Sequence, residues 1–196
     1  MPGTHKHERR PEWRGGATGV FLVPHPDTPR AAVAAIAVEA TRPAPGRLTL
    51  RYILTGDVSA LRLPPSSPQQ RTDDLWKHTC FEAFVLCPPG PAYRELNLAP
   101  STRWAAYRFD ACRQGMALAD IPEPQITVTT SPDRLDLHAT ITLDLPLTAP
   151  WRLGLSAVIE ETSGRLSYWA LAHPSGRPDF HHADCFTLEL PDTDPS

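Results

Sequence analysis

The sequence lacks the features that mark membrane, secreted and nucleic-acid-binding proteins. It has no apolar run of the ~18 residues that a membrane-spanning helix needs. Its first residues, MPGTHKHERRPEWRGG, are polar and basic and contain no apolar core of a secretory signal. The formal net charge of −3 provides no positive surplus for binding nucleic acid. We therefore expect a cytoplasmic protein without a nucleic-acid or membrane partner.

Signatures of redox and nucleophilic catalysis are also missing. The sequence contains no Cys-x-x-Cys pair, no Gly-x-Ser-x-Gly elbow and no phosphate-binding glycine loop. In a reducing compartment, widely spaced cysteines are expected to be free thiols. A glycoside hydrolase would need Glu82 and a second carboxylate at a suitable distance, and the sequence does not single out the second one. The four cysteines are Cys80, Cys87, Cys112 and Cys185.

Proline is abundant, and its distribution indicates many short strands. The 23 prolines are spread along the chain, and proline interrupts both helix interiors and central strands. Between the prolines, apolar residues alternate with polar ones, as in Leu48–Leu54 and Leu153–Glu160. We predict about ten strands and no helix, that is, an antiparallel β-sandwich of the jelly-roll or immunoglobulin-like kind. The predicted strands cover residues 19–23, 31–39, 48–54, 76–87, 93–98, 103–109, 125–130, 134–143, 153–160, 167–172 and 185–190, with a short strand or turn at 57–63.

The length of 196 residues suits a single domain with its own core. No internal repeat or linker interrupts residues 19–190, so we assign the β-sandwich domain to this range. Residues 1–18 are predicted to be a disordered N-terminal segment, and residues 191–196 a C-terminal tail.

The stretch LWKHTCFEAFVLC carries unusual polar chemistry for a strand. If residues 76–87 form one continuous strand, its side chains alternate between two faces. Phe81, Ala83 and Val85 make one face apolar, and we assign that face to the core. The other face begins with an indole, an imidazole, a thiol and a carboxylate, which are suitable parts of a polar ligand site. These residues are Trp76, His78, Cys80 and Glu82.

Three segments resemble a known family. They are DDLWKHTCFEAFV, YRELNLAPSTRWAAYRFDACRQGM and YWALAHPSGRPDFHHADCFTLEL. Together they resemble the bacterial DOMON-like proteins, which are related to the family 9 carbohydrate-binding modules. This resemblance implies a β-sandwich that binds sugars in some branches of the superfamily and haem in others.

The resemblance also implies a set of ligand-binding residues. In the sugar-binding modules, two tryptophans sandwich a saccharide ring while a glutamate and an arginine bind its hydroxyl groups. Trp76 and Glu82 match the first tryptophan and the glutamate, Arg103 suits the arginine, and Trp169 suits the second tryptophan. The alternative for Glu82 and Arg103 is a salt bridge with each other and no contact with a ligand. With His78 added, these residues predict a non-catalytic domain that binds a saccharide or a sugar-containing metabolite.

Two other functions stay open at this point. His78, Cys80, His173, His181 and His182 are candidate ligands for zinc, and a pair of histidines, or Met116 with a histidine, for haem. Either group would imply a redox or hydrolytic role, although our prediction includes no cofactor. The second alternative is a protein-interaction module that binds no small molecule.

Overall fold

The fold is a nearly all-β antiparallel sandwich. The computed structural model describes residues 17–28, 31–146 and 149–192, and the predicted N-terminal segment therefore lies almost entirely outside the described residues. The described residues contain no helix long and apolar enough to cross a membrane. The predicted fold class is confirmed. The strands are β1 (Thr18–Pro24), β2 (Val33–Ala44), β3 (Arg47–Gly56), β4 (Cys80–Leu86), β5 (Tyr93–Leu98), β6 (Trp104–Phe109), β7 (Ala117–Leu118), β8 (Gln125–Ser131), β9 (Arg134–Thr142), β10 (Trp151–Glu160), β11 (Leu166–Ala170) and β12 (Leu188–Leu190).

The strands are arranged in two sheets joined by β1. Sheet A has the order β1-β2-β3-β9-β8, and sheet B has the order β7-β6-β5-β4-β10-β11. The first part of β1 pairs with β2, while Val23 and Pro24 at its end pair with β11, so β1 belongs to both sheets. Strand β12 pairs with the beginning of β10. All of these pairings are antiparallel.

The main core lies between the sheets and follows the alternation in the sequence. Leu48, Leu50, Tyr52 and Leu54 of β3 are fully buried in it and face residues of sheet B. Strand β4 contributes Phe81, Ala83 and Val85, which confirms the face assigned to the core. The opposite face of sheet B is consequently the outer face. This outer face carries Glu82 of β4, and it is the face on which the sequence predicted a ligand site.

The predicted continuous strand at residues 76–87 is wrong at its beginning. Leu75–Lys77 forms a 3-10 turn instead, and β4 begins only at Cys80. Asp74 precedes the turn with a φ of 66°, a left-handed conformation that aspartate tolerates better than most residues. Of the short strand and the turn considered for residues 57–63, the structure shows the turn, a 3-10 turn at Val58–Ala60.

A second, smaller cluster of apolar residues covers part of the outer face of sheet B. Here the segment that follows β11 packs back onto the strands, with Cys185 and Phe186 buried against Phe84. The same segment contains a 3-10 turn at Ala183–Cys185. The last strand, predicted at residues 185–190, therefore begins only at Leu188. This cluster fixes the loop beside the candidate site. Its buried members are Phe84, Tyr93, Ala105, Tyr107, Phe109, Cys185 and Phe186.

Candidate functional site

The outer face of sheet B contains a cavity of about 590 Å³, which we call the sheet B cavity. Its floor comes from β4, β5 and β10, residues of β6 and β11 also line it, and its other sides come from the turn at Leu75–Lys77, the segment after β6 and the segment after β11. It therefore combines strand residues, which the sheet holds rigidly, with residues from three connecting segments. It is lined by Trp76, Lys77, Glu82, Glu95, Phe109, Arg113, Met116, Val158, Leu166, Tyr168, Pro178, Phe180 and His181.

Two buried carboxyl groups form the polar part of the floor. Glu82 and Glu95 are 2% and 6% exposed, respectively. The hydroxyl of Ser156 donates to Oε2 of Glu82 over 3.2 Å, and the amide of Asn97 donates to Oε1 of Glu95 over 2.8 Å. Asn97 in turn accepts a long contact from the thiol of Cys80 at 3.6 Å. The floor is thus a set of hydrogen-bonded polar side chains on neighbouring strands.

The floor carboxyl groups favour their protonated forms. Burial raises the pKa of Glu82 to about 8, and the nearby charge of Glu95 adds to this increase, while the bond from Ser156 opposes it. Burial also raises the pKa of Glu95, against the effects of Asn97 and Arg113. Desolvation disfavours a charged carboxylate, and a second acid close by has the same effect. At neutral pH, Glu82 is therefore mainly a neutral carboxylic acid.

His181 is held neutral at the side of the floor. Burial, reinforced by the charge of Arg113, lowers its pKa to about 4. The backbone N–H of Arg113 donates to the hydroxyl of Tyr93 over 3.2 Å, and that hydroxyl lies 2.7 Å from Nδ1 of His181. With Nδ1 accepting from the hydroxyl, the imidazole proton is on Nε2, which lies 3.7 Å from Oε2 of Glu95. The imidazole therefore presents a donor to the floor.

Arg113 connects two of the segments that surround the cavity. It follows β6, and its guanidinium donates to Asp179 over 2.7 Å. The same carboxylate accepts from the backbone N–H of His181, so one ion pair also holds the imidazole segment. The Arg113 side chain is 58% exposed, which leaves most of the guanidinium accessible from the cavity and the solvent.

Aromatic side chains form the apolar sides of the cavity. Trp76 is half-buried in the 3-10 turn and contacts Tyr107 edge-on, with the ring centroids 6.1 Å apart. The hydroxyl of Tyr107 donates to Asp73 over 2.6 Å, which ties the beginning of this turn to sheet B. Tyr168 and Phe180 line the cavity as well, with their ring centroids 6.3 Å apart. Such rings provide flat apolar surfaces beside the polar floor.

The second tryptophan named from the sequence does not reach this cavity. Trp169 is 1% exposed and packs in the main core, on the other face of β11 from Tyr168. Its indole N–H donates to the hydroxyl of Ser167 over 3.0 Å. Successive residues of a strand point to opposite faces, so the neighbour Tyr168 lines the cavity in its place.

His78 and Arg103 line a different depression, of about 730 Å³, beyond the turn at Leu75–Lys77. Nδ1 of His78 lies 2.7 Å from Glu160, and Nε of Arg103 donates to Ser67 over 3.3 Å. The pairing of Glu82 with Arg103 that the sequence left open is therefore absent among the described residues. Of the five predicted ligand-binding residues, only Trp76 and Glu82 line the sheet B cavity.

The candidate metal ligands are dispersed over the molecule. Within the described ranges, no group of three or more His, Cys, Asp or Glu side chains is arranged to hold a metal ion. Nε2 of His173 contacts the carbonyl of Val23, and His182 accepts from the N–H of Asp184 at the 3-10 turn. All four cysteines are free thiols.

Sequence reasoning missed several cavity residues, for two reasons. Glu95 lies on the same face of β5 as Tyr93 and Asn97, and the alternation applied to β4 would have identified it. Arg113 and Phe180 lie outside the strands, where no periodicity shows which side chains converge.

The described fold is similar to solved structures of carbohydrate-binding proteins. A proposed carbohydrate-binding protein from Bacteroides uniformis ATCC 8492 matches 89% of this chain with 86% of its own, at a TM-score of 0.66 and 14% identity. A family 9 carbohydrate-binding module from Caldicellulosiruptor kristjanssonii, solved with cellotriose and with glucose, matches 90% of this chain at a TM-score of 0.54 and 11% identity. These matches cover 84% and 85% of the module's chain.

No family model and no curated protein sequence matches the chain. At such low sequence identity, the structural likeness defines the fold. The chain has a β-sandwich fold similar to that of the family 9 carbohydrate-binding modules.

Proposed function

We propose that this chain is a non-catalytic binding domain for a saccharide or a sugar-containing metabolite. The ligand binds in the sheet B cavity. The observation that carries the proposal is the placement of Trp76 beside the buried polar floor of Glu82 and Glu95 within one cavity. The similar module was solved in complex with cellotriose and with glucose, which supports a sugar as the class of ligand.

The chemistry of the cavity suits a sugar ring. The apolar face of the ring packs on an indole or phenol ring, while each hydroxyl that loses water must regain a hydrogen-bond partner. Glu82 as a carboxylic acid both donates and accepts, the imidazole of His181 donates, and Arg113 donates from the side. Tyr168 and Phe180 provide the second aromatic side of the site, the role that the family resemblance implied for Trp169.

We also propose that the chain is a DOMON-like protein and that it is located in the cytoplasm. The resemblance is carried by residues 73–85, 93–116 and 168–190, which contain Trp76, Glu82, Glu95, Arg113 and His181. The same three segments thus contain most of the polar residues that line the cavity.

Calorimetric titration of the purified protein with mono- and disaccharides tests the proposal. At least one sugar should bind, and Trp76→Ala should weaken its affinity by about tenfold or more, which corresponds to about 1.4 kcal/mol of lost ring packing. Phe21→Ala is the control, since Phe21 is an exposed aromatic residue that does not line the cavity. A folded protein that gives no heat with any sugar would exclude the saccharide ligand.

A further inference from the structure

The charges around the cavity floor indicate which kind of sugar it accepts. This inference rests on the proposed function and concerns the same cavity. Glu82 and Glu95 are both more than nine-tenths buried, yet no lysine or arginine among the described residues forms an ion pair with either. Buried carboxylates are ordinarily paired with a cation; without one, these two acids favour their protonated forms, and a cation brought by a ligand would meet no competing ion-pair partner at the floor.

The positive side chains that line the cavity already have partners at its rim. Nζ of Lys77 lies 2.7 Å from Asp74, and the guanidinium of Arg113 lies 2.7 Å from Asp179. Both side chains are more than half exposed. His181 lies closest to the floor, but its low pKa keeps the imidazole neutral. Arg113 thus acts on Glu95 only through space, and no described cation forms an ion pair with either floor carboxyl group.

One oxygen of the floor lacks a hydrogen-bond donor. Oε2 of Glu82 accepts from Ser156, whereas no described residue donates to Oε1. This oxygen is not among the fully buried atoms that lack a partner, so it is open to the cavity, where water or a ligand can donate to it. Because Glu82 lines the cavity, a donor on the ligand is in a position to satisfy this oxygen.

The sides of the cavity also suit a cation. Trp76, Tyr168 and Phe180 line it, and the faces of such rings attract ammonium groups within about 6 Å of the ring centroid. A cavity that combines aromatic sides with acidic groups at its base recognises a protonated amine better than a neutral hydroxyl. The pyranose ring and the ammonium group then use different parts of the same cavity.

We propose that the ligand is an amino sugar with a free ammonium group, which pairs with Glu82 and Glu95 at the floor. The ammonium group donates to the unpaired oxygen of Glu82 and supplies the positive charge that the floor lacks. An N-acetylated sugar carries no such charge and is a poorer ligand.

Calorimetry at pH 7 with glucose, glucosamine and N-acetylglucosamine tests this inference. Glucosamine should bind at least about tenfold more tightly than either neutral sugar, as expected for a charge-assisted hydrogen bond. If glucose or N-acetylglucosamine binds as tightly as glucosamine, the amino-sugar inference is overturned and the proposed function stands. If none of the three sugars, and no other member of the saccharide panel, binds to the folded protein, the proposed function fails as well.

Proton linkage provides a second readout of the same titration. Glu82 must lose its proton to pair with an ammonium group, so glucosamine binding at pH 7 should release up to about one proton per ligand. The affinity should also increase, by up to about tenfold, from pH 6 to pH 7. Glucose binding should release no proton and should not change with pH. Proton release measured in buffers of different ionisation enthalpy that is equal for the two sugars would count against the inference.

Glu82→Gln separates the charge from the shape of the floor. The amide keeps the size of the side chain and an oxygen that accepts from Ser156, so any loss of hydrogen bonding to the sugar ring affects both ligands, and the measured quantity is the ratio of the two affinities, which should fall to about one because the preference for glucosamine is lost. Glu160→Gln is the matched control, because Glu160 is also a buried glutamate but lies in the neighbouring depression. If Glu82→Gln does not fold, Glu95→Gln makes the same comparison. A preference for glucosamine that survives both floor substitutions overturns the inference.

Discussion

Glu82 on β4 and Glu95 on β5 are diagonal neighbours on the outer face of sheet B. Glu82 is paired in register with Asn97, and Glu95 lies two residues before Asn97 on the same face. Diagonal neighbours of this kind are about 7–8 Å apart across a sheet. Burial raises the pKa of both acids, and at Glu82 the charge of Glu95 adds to the increase.

The first prediction concerns stability as a function of pH. The pKa of Glu82 is about 8 in the folded protein, against an ordinary value of 4.5. Between these values the folded state keeps a proton that the unfolded chain has released, so Glu82 lowers stability as the pH rises. This loss is up to about 1.4 kcal/mol per pH unit within the window and is complete above about pH 8.

Glu82→Gln removes this titration and makes the prediction measurable. Compared with the parent protein, its free energy of unfolding in urea should improve by a few kcal/mol between pH 5 and pH 8. Glu95 titrates in both proteins, so the difference between them reports on Glu82 together with its coupling to Glu95. Two pH profiles that run parallel through this range would contradict a raised pKa at Glu82.

The second prediction compares two arginines. Arg113 lines the sheet B cavity, whereas Arg103 lines the neighbouring depression. Arg113→Gln should weaken saccharide binding by about tenfold or more, because a hydrogen bond from a charged donor contributes about 1.5–3 kcal/mol. Arg103→Gln should change the affinity by less than about twofold. Calorimetric titration of both variants with the same sugar measures the two changes in affinity. A larger loss of affinity for Arg103→Gln than for Arg113→Gln would place the ligand in the neighbouring depression.

The third prediction concerns the two tryptophans that were expected to face each other. Trp169 is fully buried in the main core, so Trp169→Ala should lower the free energy of unfolding by about 3–5 kcal/mol. Trp76 is half-buried at the cavity side, and its replacement by alanine should cost about 1 kcal/mol or less of stability. Urea unfolding of the two variants measures the difference. Equal losses would mean that the indole of Trp76 is also a core residue.

Alternation predicted the sheets well because it reflects burial directly. The strand at 93–98 was predicted with the bounds that the structure shows, and the core face of β4 follows from Phe81, Ala83 and Val85. The same rule placed Glu82 on the ligand side. Alternation does not explain the position of Trp76, since this residue reaches the cavity from a 3-10 turn and not from a strand.

The sides of the site were beyond sequence reasoning because tertiary contacts create them. The segment after β6 and the segment after β11 are far apart in sequence, yet the ion pair of Arg113 with Asp179 joins them beside the floor. Neither segment has a repeating pattern that indicates which side chains face inward. Arg103 is nearer in sequence than Arg113 to the segment that contains Trp76 and Glu82. Its hydrogen bond to Ser67, however, holds Arg103 on the other side of the turn at Leu75–Lys77.

The strand that is shared between the sheets has a consequence for solubility. Because β1 pairs with β2 at one end and β11 at the other, it closes the seam on that side of the sandwich against strand addition by another molecule. Of the described strands, β7 and β8 end the continuous strand order, and the three-residue strand β12 pairs only with β10. Strand β7 is only two residues long, and β8 exposes threonines such as Thr127 and a serine at its end. Such short or polar borders discourage aggregation while leaving the outer face of sheet B open to its ligand.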